Sequence, residues 1–190
     1  MKIILASGSP RRRELLERAG WSFEVRPSPA EESRDGSLGM VALCEGNAVI
    51  KVRGLGKVDG TVIGADTLVF LDDQPLGKPQ DMEEARAMLR RLSGRWHTVC
   101  TGVCLGFPDG REETFHARTG VRFRELDDAM IVAYHARVDP LDKAGGYAIQ
   151  EHGEMLVAEV DGDWDNVIGL PVAMLVARLK ACHDVENRVN

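Results

Sequence analysis

No apolar run in the chain approaches the roughly 18 residues that a membrane-spanning helix requires. Its first residues hold one lysine and only four apolar side chains (Ile3, Ile4, Leu5, Ala6) before Ser7, too few for the hydrophobic region of a secretion signal. Cysteine is scarce, and Cys44, Cys100, Cys104 and Cys182 form no Cys-x-x-Cys pair. On a strand, Cys100 and Cys104 would share a face but stand about 13 Å apart at roughly 3.3 Å per residue, which argues against a zinc site. Reduced thiols in the cytoplasm are the expectation. Positive charge is in deficit, with 24 Lys+Arg against 30 Asp+Glu and a net charge of −6. That excludes a general nucleic-acid polymer binder and leaves room for a small phosphate pocket. The five histidines (His97, His116, His135, His152, His183) show no ligand spacing, and no Ser-His-Asp signature can be placed. His97, beside Trp96, reads as a structural strand residue. There is no internal repeat and no low-complexity tract. What is present is one domain's worth of ordinary globular chain: 190 residues, 44% hydrophobic, enough to bury about 70% of the extended surface without disulfides.

The patterning alternates strands and helices early, with hairpins in the middle. Lys2–Ala6 reads as a buried strand, and Ser9-Pro10 opens a helix that Gly20 stops. Phe23–Arg26 fits a second strand, Pro27–Gly39 an exposed loop, and Met40–Val52 a helix whose apolar stripe is irregular. Thr61–Leu71 is the clearest buried strand, and Asp72–Pro75 is a turn after it. Asp81 caps the next helix, which Ser93-Gly94 ends. His97–Leu105 and Glu113–Ala117 flank the hairpin signal Pro108-Asp109-Gly110. A strand over Val121–Leu126, a helix over Asp127–Ala136, a loop over Asp139–Gly146, a strand over Met155–Val160 and a helix over Leu170–Lys180 complete the chain. The class is α/β with a mixed sheet.

Five segments could carry chemistry. Ser7-Gly8-Ser9-Pro10-Arg11-Arg12-Arg13 joins the first strand to the first helix. A helix start presents free N–H groups and partial positive charge, so three arginines there repel the dipole and one another. They become sensible around an anion. Gly8 lets the backbone approach, Ser7 and Ser9 donate hydroxyls, and guanidinium groups grip phosphate oxygens in pairs. A solvated basic patch is the blander reading, and the strand-to-helix context favours the anion site. It is not a Walker loop. In Gly64-Ala65-Asp66-Thr67 a carboxylate emerges from an apolar strand, which is costly unless it meets a cation, a donor or a metal. A salt-bridged structural aspartate and a general base or metal ligand both stay open. Gly77-Lys78-Pro79 is either a turn with an exposed lysine or a phosphate contact. Asp142–Gln150 combines an acid, a base, a glycine pair and, at Gln150, an amide suited to a base edge, where an ordinary loop is the alternative. Asn166–Pro171 reads as a structural lead-in to the last helix.

Together with Leu92-Ser93-Gly94 and His97–Gly102, these segments occur in an order that resembles the Maf family of nucleoside triphosphate pyrophosphatases from Ile3 to about Leu179. The Asp142–Gln150 segment is most similar to the subfamily that cleaves dTTP and UTP. The resemblance implies an α/β fold similar to inosine triphosphate pyrophosphatases, with a mixed central sheet flanked by helices and a cleft between two lobes. It implies a single catalytic domain over 1–182, a C-terminal tail over 183–190, and a homodimer in the cytoplasm. The implied reaction is hydrolysis of a nucleoside triphosphate to monophosphate and pyrophosphate with Mg2+ or Mn2+. The family's proton acceptor falls on Asp66, and its specificity positions fall on Arg11, Thr67 and Gln150. Its other cleft residues fall on Ser7, Arg12, Glu32, Lys78, Asp142 and Lys143. Asp66 and Glu32 are the expected metal ligands, with Glu31 as the competitor to Glu32.

The chain also departs from that pattern. Asn47 stands where the family has a lysine, so one charge is lost unless Lys51, one helical turn on, reaches the cleft. On this reading Asn47→Lys would raise activity. Gly46 weakens its helix by about 1 kcal/mol relative to alanine, and Ala148 and Glu151 replace common glycines. Two further functions stay open: a low-turnover nucleotide-binding regulator linked to cell division, which Asn47 favours and Asp66 opposes, and a pyrophosphatase for another base such as 7-methyl-GTP, which Gln150 opposes.

Overall fold

The computed structural model describes residues 2–33 and 35–189, and from 183 onward the backbone alone. Three consecutive buried apolar residues form β1 (Ile3–Leu5), as expected of a strand covered on both faces. It runs parallel to its two neighbours, β2 (Glu24–Val25) and β3 (Thr61–Leu71). Asp72 and Asp73 both take positive φ, 52° and 61°, the two-residue hairpin geometry that matches strand twist. They turn β3 back into β4 (Gln74–Leu76), where the sequence suggested only a turn. Pro75 is tolerated because β4 pairs with β3 alone and sits at an edge. β5 (Trp96–Gly106) and β6 (Glu112–Phe123) form a long hairpin, with β7 (Val157–Asp161) beyond it. The two strands expected over Glu113–Ala117 and Val121–Leu126 are this single β6. It runs straight through Gly120, where an added Cβ would meet the Trp96 ring at 3.2 Å. The seven-stranded sheet has the order β2-β1-β3-β5-β6-β7, with β4 off this path against β3, and is mixed, as anticipated.

One face of the sheet carries two apolar cores side by side. Ile63 and Ala65 of β3 pack with Leu15 and Leu16 of α1 (Pro10–Arg18) and with Leu175 and Leu179 of α6 (Val172–Val189). Val69 and Leu71, further along the same face, pack with Leu89 and Leu92 of α3 (Met82–Leu92) and with Ile131 and Tyr134 of α4 (Asp128–His135). Thr67 falls at the seam between them, and α5 (Trp164–Ile168) lies over it, with Ile168 touching both cores. Asn166, with no exposed surface, pins α5 to the sheet. Its amide donates to the Val99 carbonyl at 3.1 Å and to Thr119 Oγ1 at 3.0 Å. Asn166 has the structural role its sequence suggested, while Val167, Ile168 and Gly169 of the same segment line the cavity described below. The expected tail over 183–190 falls on the end of α6, where side chains and Asn190 lie outside the described residues.

The other face carries α2 (Met40–Arg53), which buries Leu43, Cys44, Asn47, Ala48, Lys51 and Val52. The spacing is that of one helix face, and the stripe looked irregular because two of its buried members are polar. The helix sits directly on the sheet at two glycines. A Cβ on Gly64 would land on the Ala48 carbonyl oxygen, and one on Gly102 on the Cys44 backbone. That close approach brings Asn47 and Lys51 down to β3. Gly102→Ala is therefore expected to destabilise the fold by about 1–3 kcal/mol, the usual scale of overpacking. A lowered urea midpoint with unchanged slope checks this, and an unshifted midpoint contradicts it.

Candidate active site

β1 pairs with β3 only as far as Ile63, and β4 takes up pairing again at Val69. Between them, residues 64–68 of β3 have no strand on that side, while β5 covers the other. The chain leaves the C-terminal end of β1 here and turns through Ser7-Gly8-Ser9 into α1, the kind of position where open α/β sheets bind ligands. A cavity of about 360 Å3 fills the gap, within the roughly 300–1,000 Å3 range of small-molecule sites. Because the edge is open, Asp66, held by α2, and Thr67, held beneath α5, both line it although they project from opposite faces.

Asp66 is 4% exposed, and each of its carboxylate oxygens accepts one hydrogen bond. Its Oδ1 accepts from Lys51 Nζ at 3.1 Å and its Oδ2 from Asn47 Nδ2 at 2.8 Å. Lys51 also donates to the Ala65 carbonyl at 2.8 Å and pairs with Glu32 Oε1 at 2.6 Å. Asn47 holds the backbone of Ser33 at two points, accepting from its N–H at 2.7 Å and donating to its carbonyl at 3.0 Å. The loop bearing Glu32 is thus tied to the helix that holds Asp66. Lys51 supplies the charge that Asn47 lacks. A carboxylate offers about four lone-pair sites, so the two bonds leave acceptor capacity on Asp66, which lines the cavity. Glu31 and Glu32 are both exposed, and only Glu32 is part of the cavity lining.

The three arginines of α1 diverge. Arg11 faces the cavity and pairs with Asp142 Oδ2 at 3.6 Å. Arg12 is buried and donates to the Gly169 carbonyl (Nε, 2.8 Å), Ser7 Oγ (Nη1, 3.1 Å) and Thr67 Oγ1 (Nη2, 3.0 Å). Burial pushes its pKa below the ordinary guanidinium value, and the charges of Asp66 and Glu32 oppose that shift. Three of its five N–H donors are taken by protein. Arg13 turns outward to Glu17. Ser9 makes no side-chain cap and the first turn holds no acid, so the N-terminal amides of α1 stay available to an anion. Ser7 lies below the cavity surface, its hydroxyl held by Arg12 and the Ser9 N–H. The Thr67 hydroxyl is shared among Arg12, Thr101 Oγ1 at 2.9 Å and the Gly169 carbonyl at 3.2 Å.

The remaining expected residues come from the far wall. Lys143 is buried, and its ammonium meets the Asp139 carbonyl at 2.8 Å, Asp142 Oδ1 at 2.6 Å and Glu151 Oε1 at 3.6 Å, which secures the loop. Burial pushes the Asp142 carboxyl up, but the Lys143 hydrogen bond and the charges of Lys143 and Arg11 outweigh it and leave it below the usual range. Lys78 and Gln150 are exposed on the cavity rim and make no hydrogen bond or ion pair among the described residues. Val69, Val99, Tyr147 and Ile149 form an apolar wall. Behind it, Tyr147 Oη meets His97 Nε2 at 2.8 Å, and burial lowers the His97 pKa to about 4, so that ring is neutral and structural. The double grip of Asn47 escaped the sequence reading. Its one signal was a polar pair at i, i+4 within a buried helix stripe.

Five cationic side chains (Arg11, Arg12, Lys51, Lys78, Lys143) line the cavity against three acidic ones, in a chain that is acidic overall. The donor set beside Asp66 consists of hard oxygens, suited to a magnesium-type ion held by one or two carboxylates plus substrate phosphates. Glu32 and Asp66 both contact one Lys51 nitrogen, so the two carboxylates already share a single cationic group.

The Maf-like protein family matches residues 2–182. A dTTP/UTP pyrophosphatase of Akkermansia muciniphila is 54% identical over 172 residues, covering 90% of each chain. One of Moorella thermoacetica is 49% identical over 177 residues, covering 92% of this chain and 91% of the relative. The Ham1 protein of Staphylococcus aureus shares the fold at a TM-score of 0.56 with 17% identity, over 95% of this chain and 99% of that one. The family match spans every residue of the cavity, and this chain belongs to the Maf-like family.

Proposed function

We propose that this chain hydrolyses a nucleoside triphosphate, dTTP or UTP or a modified pyrimidine relative, to the monophosphate and pyrophosphate. The observation that carries the reading is Asp66, buried and oriented by Lys51 and Asn47, yet open to a net cationic cavity at a helix start. The names of the relatives support the pyrimidine substrate class. The apolar wall suits a base, and Gln150 on the rim offers both a donor and an acceptor to its edge.

Cleavage at the α-phosphorus needs an in-line water, neutralised phosphate charge and a stabilised leaving group. Arg11, the two remaining donors of Arg12, Lys78 and the amides at the start of α1 bind the triphosphate. Asp66, held by Asn47, orients the water and takes its proton. Glu32 and Asp66 would hold the divalent cation, which when bound supplies charge neutralisation and makes the attacking water more acidic. Ser7 and Thr67 act through Arg12, and Lys143 acts through Asp142, as positioning residues. The homodimer implied by the family resemblance belongs to this reading.

Incubation with dTTP, UTP, CTP, GTP and 7-methyl-GTP plus Mg2+ or Mn2+ is expected to give monophosphate and pyrophosphate from the pyrimidine nucleotides, resolved by chromatography. Diphosphate plus phosphate would contradict the mechanism, and 7-methyl-GTP as the best substrate would move the base assignment. Asp66→Asn is expected to lower kcat by at least about a hundredfold, the common scale for loss of a general base, while nucleotide still binds by calorimetry. Retained turnover removes Asp66 from its role. For Asn47→Lys the contacts of Asn47 support the outcome opposite to the sequence expectation. A lysine there cannot accept from the Ser33 N–H and sets a second ammonium beside Lys51, so kcat should fall by about tenfold or more, as like charges in close contact disfavour the arrangement. A rise in kcat would show that the two-point grip on Ser33 is dispensable.

A further inference from the structure

The ammonium of Lys51 has three N–H donors, and three oxygens surround it: Glu32 Oε1 at 2.6 Å, the Ala65 carbonyl at 2.8 Å and Asp66 Oδ1 at 3.1 Å. Its side chain is 10% exposed. No donor is left for a phosphate while this arrangement holds. Two of the three oxygens belong to the carboxylates that fit a divalent cation. One position cannot hold an ammonium and a divalent ion together, because like charges a few ångströms apart in a partly buried site repel strongly.

We infer that Lys51 is the resident counter-cation of the Glu32–Asp66 pair: its ammonium keeps the two carboxylates together in the nucleotide-free chain and competes with the divalent ion for them. Without nucleotide, metal must displace Lys51 with nothing to receive it, so the metal binds weakly. With nucleotide present, the phosphates receive the displaced ammonium on its flexible four-carbon stem, and metal and nucleotide enter together. The Asn47 grip on Ser33 keeps the Glu32 loop in place during the exchange. The inference rests on Glu32 and Asp66 being the metal ligands.

The test is Mn2+ binding to the nucleotide-free protein, followed by the electron paramagnetic resonance signal of free Mn2+. Lys51→Met and Lys51→Gln are expected to bind Mn2+ at least about tenfold more tightly than the unaltered chain, since removing the competing charge lowers the cost of entry. Affinity no higher than that of the unaltered chain in both variants overturns the inference. Glu32→Gln separates it from the reading on which it rests. If Glu32→Gln weakens Mn2+ binding while both Lys51 variants stay at the unaltered level, the ligands stand and the counter-cation role falls. If Glu32→Gln changes nothing in any background, the ligand reading falls and the inference with it. Should the Lys51 variants not fold, the unaltered chain decides: an uncleavable α,β-methylene analogue of dTTP must raise its Mn2+ affinity at least about tenfold, as mutual removal of a shared repulsion requires. No rise overturns the inference.

Discussion

A carboxylate in the middle of a β-sheet survives only if its charge is answered within contact distance. Asp66 is answered by one ammonium and one amide, both from α2, and the rest of the site is arranged around that contact. The helix can deliver those two groups because Gly64 and Gly102 let it lie against the sheet without an intervening side chain. The same two groups reach beyond Asp66. Lys51 draws in Glu32, and Asn47 clamps the backbone beside it. A surface loop is thereby made part of the site's wall.

The second constraint lies on the opposite face. Two apolar cores share the long strands β3, β5 and β6 but are built from different helices, and the seam between them passes Thr67. A chain of hydrogen bonds crosses that seam, from Asn166 through Thr101 and Thr67 to Arg12 and Ser7. Its effect is to hold a buried guanidinium at the helix start with donors to spare. Electrostatics and packing therefore meet at one place, the unpaired edge of β3, where side chains from both faces reach the same cavity.

Much of the fold was legible from patterning. The buried strand at 61–71, the helix capped by Asp81 and the hairpin at Pro108-Asp109-Gly110 carry strong local signals, because apolar periodicity and turn chemistry are local properties. The errors fell where distant packing decides. The residues left between the two strands expected over Glu113–Ala117 and Val121–Leu126 continue as one strand, with Gly120 beneath Trp96. The short pairing of Gln74–Leu76 depends on β3 rather than on its own sequence. Among the site residues, Asp66, Arg11, Glu32, Lys78 and Gln150 line one cavity. Ser7, Thr67 and Lys143 turn out to hold other groups in place, a distinction that residue type cannot express.

The sequence by itself determined the class of the fold, the acid in an apolar strand, the basic helix start and the family. Each of these is written in local composition, spacing or motif order. Only the tertiary structure decided which lysine serves Asp66, which arginine is buried, and that Asn47 replaces a charge with a clamp. Those outcomes depend on how closely one helix approaches a sheet and on which hydrogen bonds complete in three dimensions, and neither is a property of neighbouring residues in the chain.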